Sequence, residues 1–463
     1  MPVTVNEFKL NPLDGSTTTE YSDGSVTTGS VLPASTLTAD DTAKLKAWIA
    51  RGPDANRHTI GAVGNSIAAL YGPGPAGLAP QSLQSTSTGL WAAAATCGRY
   101  RVDYSAVYGY GGQTSTYIAS QAPTWANFAA ETFLHLYEND PQNGVTLAQA
   151  DAATETVIQA LLGKTIIKIC TCLPNLSFTT TAMRDTFNAI NAMAARKAEK
   201  YGIKLVNVSD YHMDISAGGL PKPLPAWVDV SVHPSIGLAQ ALAYNVLAPS
   251  LEHYSASFLQ GAAGQHTGKQ SMVPNGWFAA TSAASGANIS GTVPAGWSAN
   301  IYLPGGSTGS LTCSMRQRSD RVSAQQWCDL RYQSSAGSGG DFALQATNYY
   351  FTAGDFAAGD VVEAAADFEI TGTPVGLQNL SVRMQHASAP AIYDSNWSGY
   401  VAATIPAPWG AARGTLRTQR YTLTAADISA GYLSIYLKGY AISAATPVDC
   451  TVGWANPRIV KVA

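Results

Sequence analysis

The chain has 463 residues, more than one ordinary core accommodates; 46% of them are hydrophobic but only 12% are charged, and Gly, Ser, Thr, Ala and Gln fill much of the rest. A formal net charge of −3 offers no broad basic face for phosphates, so nucleic acid is not an expected partner. No apolar run of about 18 residues occurs and the N-terminal MPVTVNEFKL lacks the basic and apolar regions of an export leader, so neither a membrane span nor Sec-type secretion is expected.

Residues 1–40 are rich in Thr, Ser and Gly, and the alternation in EYSDGSVTTGSVL reads as short strands in an extended arm, with a role in assembly or attachment. From Thr38, TADDTAKLKAWIARG predicts a helix: an N-cap, acids in the first turn, then Leu45, Trp48 and Ile49 on one face. Between His58 and Tyr254 short apolar runs alternate with helical periods. HTIGAVGNS, YRVDYSAVYG, ETFLHLYEND, KTIIKICTCLP and IKLVNVSDY read as strands; TLAQADAATETVIQALLG, TTTAMRDTFNAINAMAARKAEKYG and SIGLAQALAYNVLAPSLEHY read as helices. In the second helix Met183, Phe187, Ile190 and Ala194 form one stripe. Such alternation predicts a mostly parallel sheet covered on both faces, with ligands at the carboxyl ends of its strands.

Beyond about Gln260 the helical period disappears and runs such as SANIYLP, GSLTCSMRQ, DVVEAAADFEI and YLSIYLKGY predict an all-β sandwich, a jelly roll. The expected organisation is an arm at 1–40, an α/β domain at 41–257, a linker at 258–275 and a β-sandwich at 276–463. Of the six cysteines, Cys170 and Cys172 read as core thiols; Cys313 and Cys328 flank a polar segment, and sequence leaves open whether they form a bridge. No metal-ligand spacing stands out: His212 with Asp210 and Asp214 reads as a polar loop, and no cofactor is expected.

Four places in the α/β region carry chemistry. Ser66, in AVGNSIAALYG, follows a strand and a turn glycine at the start of a helical segment, where backbone N–H groups favour developing negative charge. Gly112, in YGYGGQTS, lies in a turn after the second strand, and Asn139, just past the third, can aim an amide at the same oxygen. His233, in WVDVSVHPSIGL, precedes a helix. Singly, each has a plainer reading as a turn, cap or loop residue.

Together and in this order they resemble the blocks of the SGNH hydrolases, also called the GDSL family. The resemblance covers residues 58–254 and implies a three-layer flavodoxin-like α/β fold and a covalent mechanism. Ser66 would be the nucleophile and His233 its base, with the oxyanion held by Ser66 N–H, Gly112 N–H and the Asn139 amide. The chain departs from the pattern at three places. Asn65 stands where the family usually has Asp, and Tyr137 where it usually has Gly, which is expected to reshape the pocket wall. Val230 stands where the acid is usual, leaving Asp229, four before the histidine, as the candidate, with Asp210 and Asp214 as fallbacks.

The aromatics Tyr349, Tyr350, Trp397, Tyr400 and Trp409 suit either sugar stacking or the core of the β-region. The order of arm, hydrolase and sandwich looks like phage or prophage tail-fibre esterases, which implies an acylated polysaccharide substrate, deacetylation, assembly into a virion tail (often as a homotrimer), and a virion-associated or extracellular site of action after synthesis in the cytoplasm. The competing expectations are a non-catalytic glycan-binding tail protein and a lipase of the same fold.

Overall fold

The computed structural model describes residues 5–10, 16–21, 26–30, 58–72, 83–84, 86–211, 213–214, 217–224, 228–229, 233–252, 254, 273, 275–303, 308–320, 325–336, 338–346, 349–350, 356–386, 392–394, 396–397, 411–441 and 447–461. The helix expected at 38–52 lies outside them, as does nearly all of the linker expected at 258–275. Contacts divide the chain into two compact units, Met1–Ala69 with Ser105–Lys222, and Leu70–Tyr104 with Pro223–Ala463.

The first unit opens with β1 (Val5–Leu10), β2 (Ser16–Tyr21) and β3 (Val26–Ser30), an antiparallel meander in which Phe8 faces Thr19 and Thr18 faces Thr28. It then builds a five-stranded sheet from β4 (Thr59–Gly64), β6 (Arg101–Gly109), β7 (Glu131–His135), β8 (Ile166–Cys170) and β9 (Lys204–Val206), ordered β6-β4-β7-β8-β9. Between β4 and β6 in the chain lies a two-residue strand, β5 (Leu83–Gln84). β4, β7, β8 and β9 pair in parallel, Val63 opposite Leu134 and Ile169 opposite Leu205. Every residue of β4 and β7 is buried, which is why these strands read as continuous rather than alternating apolar runs.

Among the described residues, this unit has the α-helices α1 (Ser66–Ala69), α3 (Ser115–Ser120), α4 (Leu147–Leu161) and α5 (Thr181–Tyr201), α2 belonging to the second unit. Thr146 and Gln149 form a capping box at the start of α4, and the Thr180 hydroxyl accepts from Met183 N at the start of α5. Each long helix buries one stripe, Ala150, Val157 and Leu161 on α4 and Phe187, Ile190 and Ala194 on α5; Met183 is only partly buried against the same core.

Among the described residues, the second unit holds two large β-sheets besides two-stranded ladders. One, of eight strands, contains β12 (Thr281–Ala283), β13 (Ile289–Pro294), β15 (Gly309–Gln317), β16 (Gln326–Ser334), β19 (Val361–Ile370), β23 (Ala412–Arg417), β24 (Tyr421–Thr422) and β26 (Val448–Lys461). Its order is β12-β13-β15-β16-β26-β19-β23, with β24 also on β19, and only β13 and β15 run parallel. The other, antiparallel throughout, has β14 (Trp297–Tyr302), β17 (Gly340–Ala346), β25 (Tyr432–Ala441), β20 (Leu377–His386) and β21 (Ile392–Asp394) in that order, with β18 (Tyr349–Tyr350) on β25. The short β22 (Asn396–Trp397) pairs with β5. Tyr332 of the first sheet stacks on Phe342 of the second, ring centroids 5.2 Å apart, so the apolar faces of the two sheets meet.

Helix α2 (Thr88–Ala95) is buried along its whole length in this second unit, and Trp91 meets Phe368 of β19 edge to face. Gly414 on β23 lies so close that a Cβ there would fall 2.4 Å from the Ala94 carbonyl oxygen. Arg417 donates to the Gly98 carbonyl, and Tyr244, on the helical stretch that begins with α6 (Ile236–Leu242), donates to that of Arg413. These bonds explain why residues 70–104 and the stretch from 223 group with the C-terminal strands, across the boundary expected at 257.

All six cysteines are free and buried. Cys313 lies opposite Leu330 and Cys328 opposite Met315, so the bridge left open by the sequence is not formed. Tyr349, Tyr350 and Trp397 lie on strands whose side chains are outside the description, as are Tyr400 and Trp409 altogether. Among the described residues, no helix is long and apolar enough to cross a membrane.

One buried charge pair joins two central strands of the first unit: Lys168 Nζ on β8 lies 2.9 Å from Glu131 Oε2 on β7, the side chains 0% and 1% exposed. Breaking a buried ion pair by removing one partner is strongly destabilising. Lys168→Met is expected to cost about 3–5 kcal/mol in urea unfolding, and Lys168→Met with Glu131→Leu to recover most of it; equal stability of single and double variants would contradict this.

Candidate active site

Three strands of the parallel sheet end side by side, and the turns that follow them are hydrogen-bonded to one another. The turn after β4 carries Ser66 as the first residue of α1, half-buried. Gly64 is required there by close approach, since a Cβ would lie 1.9 Å from the His135 carbonyl oxygen at the end of β7. The same carbonyl accepts from Asn65 N at 2.9 Å, and the Gly64 carbonyl accepts from Tyr110 N at 2.8 Å just past β6. Gly112, in the turn that follows, has φ +73° and is exposed, with its backbone in the left-handed region.

The turn after β7 is tied to the turn after β6. Asn139, 8% exposed, donates from Nδ2 to the Gln113 carbonyl at 2.9 Å. Its Oδ1 accepts from Gln142 Nε2 at 3.0 Å and its carbonyl from Asn143 Nδ2 at 2.7 Å, which fixes the orientation of the amide. An amide nitrogen has two hydrogens, and the bond to Gln113 uses one of them. Asp140 accepts from Ser115 N at 2.8 Å and Ser115 Oγ at 2.6 Å, capping α3 from the neighbouring turn. The first unit thus brings Ser66, Gly112 and Asn139 together on three laced turns.

One side chain in these turns, Glu138, was not singled out by sequence reasoning. Glu138, 6% exposed, accepts from Asn65 Nδ2 at 2.5 Å, and Asn65 Oδ1 accepts from Ile67 N at 3.0 Å. Burial pushes the Glu138 carboxyl up to about 7, although the Asn65 bond and the N–H groups of Glu138 and Leu173 pull the other way. Burial likewise pushes Asp140 up to about 6 against its two bonds from Ser115. His135 is moved in the opposite sense, down to about 3, because burial disfavours the imidazolium. The only sequence signal for Glu138 was an acid next to Asn139, a position that ordinarily reads as solvated.

Tyr137 does not form a pocket wall, as its departure from the family pattern had suggested. Its ring is fully buried in the core and its hydroxyl lies 3.0 Å from Thr154 Oγ1 on α4.

The remaining candidates lie elsewhere in the chain. β10 (Val228–Asp229) and β11 (His233–Pro234) form a two-stranded ladder in the second unit, in which Asp229 and His233 are direct register partners. Asp229 therefore lies opposite His233 along the backbone; the Asp229 side chain lies outside the described residues. His233 is half-buried, and Ser235 caps the following helix by accepting from Leu238 N. Asp210 is exposed and held by Asn207 Nδ2 at 2.7 Å, Asp214 is half-buried, and His212 lies outside the described residues. Among the described residues no three His, Cys, Asp or Glu side chains converge as a metal site.

No protein-family model matches the chain, and no curated protein matches it. Solved structures overlap with part of it. A "putative lipolytic protein of G-D-S-L family" from Desulfitobacterium hafniense DCB-2 is 14% identical, covering 42% of this chain and 99% of that one at a TM-score of 0.33. A member of the lipolytic protein G-D-S-L family from Veillonella parvula DSM 2008 is 17% identical, covering 40% and 94% at 0.29. AlinE4, an SGNH-hydrolase family esterase, is 18% identical, covering 33% and 77% at 0.26.

The raised Glu138 carboxyl has a sign that can be measured. A carboxyl whose folded pKa lies above its unfolded value stabilises the fold most at low pH, and that share is lost as pH rises from about 4.5 to about 7. Asp140 acts in the same direction, and His135 in the opposite one as pH falls below 6.5. Comparing Glu138→Gln with wild type isolates the first. Between pH 4 and pH 8 the variant is expected to gain up to about 3 kcal/mol relative to wild type in urea unfolding; parallel curves would contradict the assignment.

Proposed function

We propose that the chain is a serine ester hydrolase that removes acetyl groups from a carbohydrate, with Ser66 as nucleophile, His233 as its base and Asp229 holding the imidazole. The observation that carries this reading is the lacing of three strand-end turns, which sets a half-buried serine at a helix start beside a turn glycine and an oriented amide. Neutral-pH acyl transfer needs such groups: a hydroxyl that a base can activate, and donors fixed in advance for the oxyanion.

The serine oxygen attacks the ester carbonyl as its proton passes to His233 Nε2. The negative charge that develops on the carbonyl oxygen is met by Ser66 N–H, Gly112 N–H and the second N–H of the Asn139 amide. Collapse expels the sugar hydroxyl, protonated by the imidazolium, and leaves an acetyl-serine. Water deprotonated by the same imidazole then releases acetate. Asp229, opposite His233 in register, fixes the tautomer that leaves Nε2 able to accept.

Aromatic groups beside the Gly112 turn support a sugar as the alcohol. Tyr110 and Tyr117 meet edge to face at 5.8 Å, Trp125 Nε1 donates to the Tyr110 hydroxyl, and Tyr117 is 43% exposed. Ring faces of this kind stack on pyranose faces. In this reading the C-terminal sandwich is a jelly-roll module that holds the polysaccharide, and the protein works in a phage-type tail assembly.

With p-nitrophenyl acetate, wild type is expected to turn over and Ser66→Ala to lose at least about 1000-fold in kcat, while Asn139→Ala loses about 100-fold or more through the missing oxyanion donor. Rates should fall from acetate to octanoate esters, and acetate should be released from an acetylated polysaccharide. Rates that rise with chain length would indicate a lipase instead, and an inert wild type a non-catalytic glycan binder.

A further inference from the structure

We propose that Asn65 and Glu138 are a positioning pair, a buried side-chain clasp that fixes the Ser66 turn against the Asn139 loop and so sets the spacing of the oxyanion donors. The inference rests on the ester-hydrolase reading and adds two residues to it.

The geometry is specific. Asn65 is fully buried and directly precedes Ser66; its Nδ2 donates 2.5 Å to Glu138 Oε2, and its Oδ1 accepts from Ile67 N on the far side of the serine. Its backbone N donates to the His135 carbonyl and its own carbonyl accepts from Ala69 N. Glu138 directly precedes Asn139. One side chain therefore brackets the nucleophile along the chain, and its partner is bonded to the residue that supplies the amide donor. The backbone N–H groups of Glu138 and Leu173 also act on this carboxyl, and the bond from Asn65 is the one that ties it to the Ser66 turn.

The clasp also explains Asn rather than Asp at position 65. An aspartate there would still accept from Ile67 N, but it would face Glu138 with two carboxylates and no hydrogen between them, a contact stable only while one oxygen is protonated. Glu138 itself, pushed up to about 7 by burial, can hold that proton at low pH and loses it as pH rises, and the surrounding groups supply no other. Tyr137 and Asp140 flank it on its own loop; His135 from the end of β7 is held neutral by burial; Cys170 and Cys172, from β8 and just beyond it, are buried thiols held protonated. Asp140 titrates in the same range but is common to every variant compared below.

The test is a reciprocal exchange followed by kcat and KM for p-nitrophenyl acetate between pH 5.5 and 8.5. Asn65→Asp is expected to lower kcat at least tenfold at pH 8 with KM changed less than threefold, and to lose less at pH 5.5, where the carboxyl pair holds a proton. Asn65→Asp with Glu138→Gln restores a donor–acceptor pair with the roles reversed, and kcat at pH 8 should return to within threefold of wild type. Circular dichroism and thermal unfolding establish that each variant is folded. A folded Asn65→Asp enzyme with kcat within twofold of wild type at every pH would overturn the proposal, as would a folded double variant no better than the single. The wild-type measurement separates the two claims: an inert wild type overturns the hydrolase reading and the positioning role with it, whereas an active enzyme indifferent to the exchange overturns the positioning role alone.

Discussion

The first unit depends on where its backbone polar groups go at the carboxyl ends of β4, β6 and β7. β4 and β7 are buried throughout, so an unpaired backbone group at their ends would be costly. Here the turns satisfy one another: Gly64 O with Tyr110 N, His135 O with Asn65 N, and Gln113 O with the Asn139 side chain. The bonds that complete the backbone accounting are therefore the same ones that set a serine, a glycine N–H and an amide at one rim. In the proposed mechanism the same backbone bonds would hold the oxyanion donors in place in advance of the reaction.

Burial gives the same rim its unusual ionisation. His135 is held neutral, while Glu138 and Asp140 are held toward the protonated form, all within six residues at the end of β7. Burying three titratable groups at one strand end is costly, and each is offset in part by a local contact: Asn65 to Glu138, Ser115 to Asp140, and the 3.9 Å contact of His135 Nε2 with Cys170 Sγ. By contrast the Lys168–Glu131 pair keeps opposite charges together deeper in the sheet. Polar groups are thus concentrated where the turns meet and are sparse in the core of α4 and α5.

Much of this could be read from the chain. The strand runs ending at Gly64, Gly109, His135 and Cys170 and the stripes of α4 and α5 followed from apolar period, because burial on one helical face or on both strand faces writes directly into composition. The order of Ser66, Gly112 and Asn139 could be read for the same reason: each follows a strand. The Asn65–Glu138 clasp could not, since it joins positions 73 residues apart and an acid after a strand ordinarily reads as solvated. Tyr137 misled in the other direction, because the side a loop side chain takes depends on its partner, here Thr154 on α4. The grouping of residues 70–104 with the C-terminal strands was equally hidden: helix α2 is apolar all round, and nothing local says which sheet buries it.

Ser66, Gly112 and Asn139 lie on one unit and the Asp229–His233 ladder on the other, so the proposed function turns on whether Ser66 is chemically activated in the intact protein. The most direct measurement is reaction of the full chain with a fluorophosphonate, followed by peptide mass spectrometry. The account predicts a single phosphonyl adduct on Ser66 that forms rapidly in wild type and is lost in His233→Ala. Absence of an adduct on Ser66, or labelling undiminished without the imidazole, would contradict it.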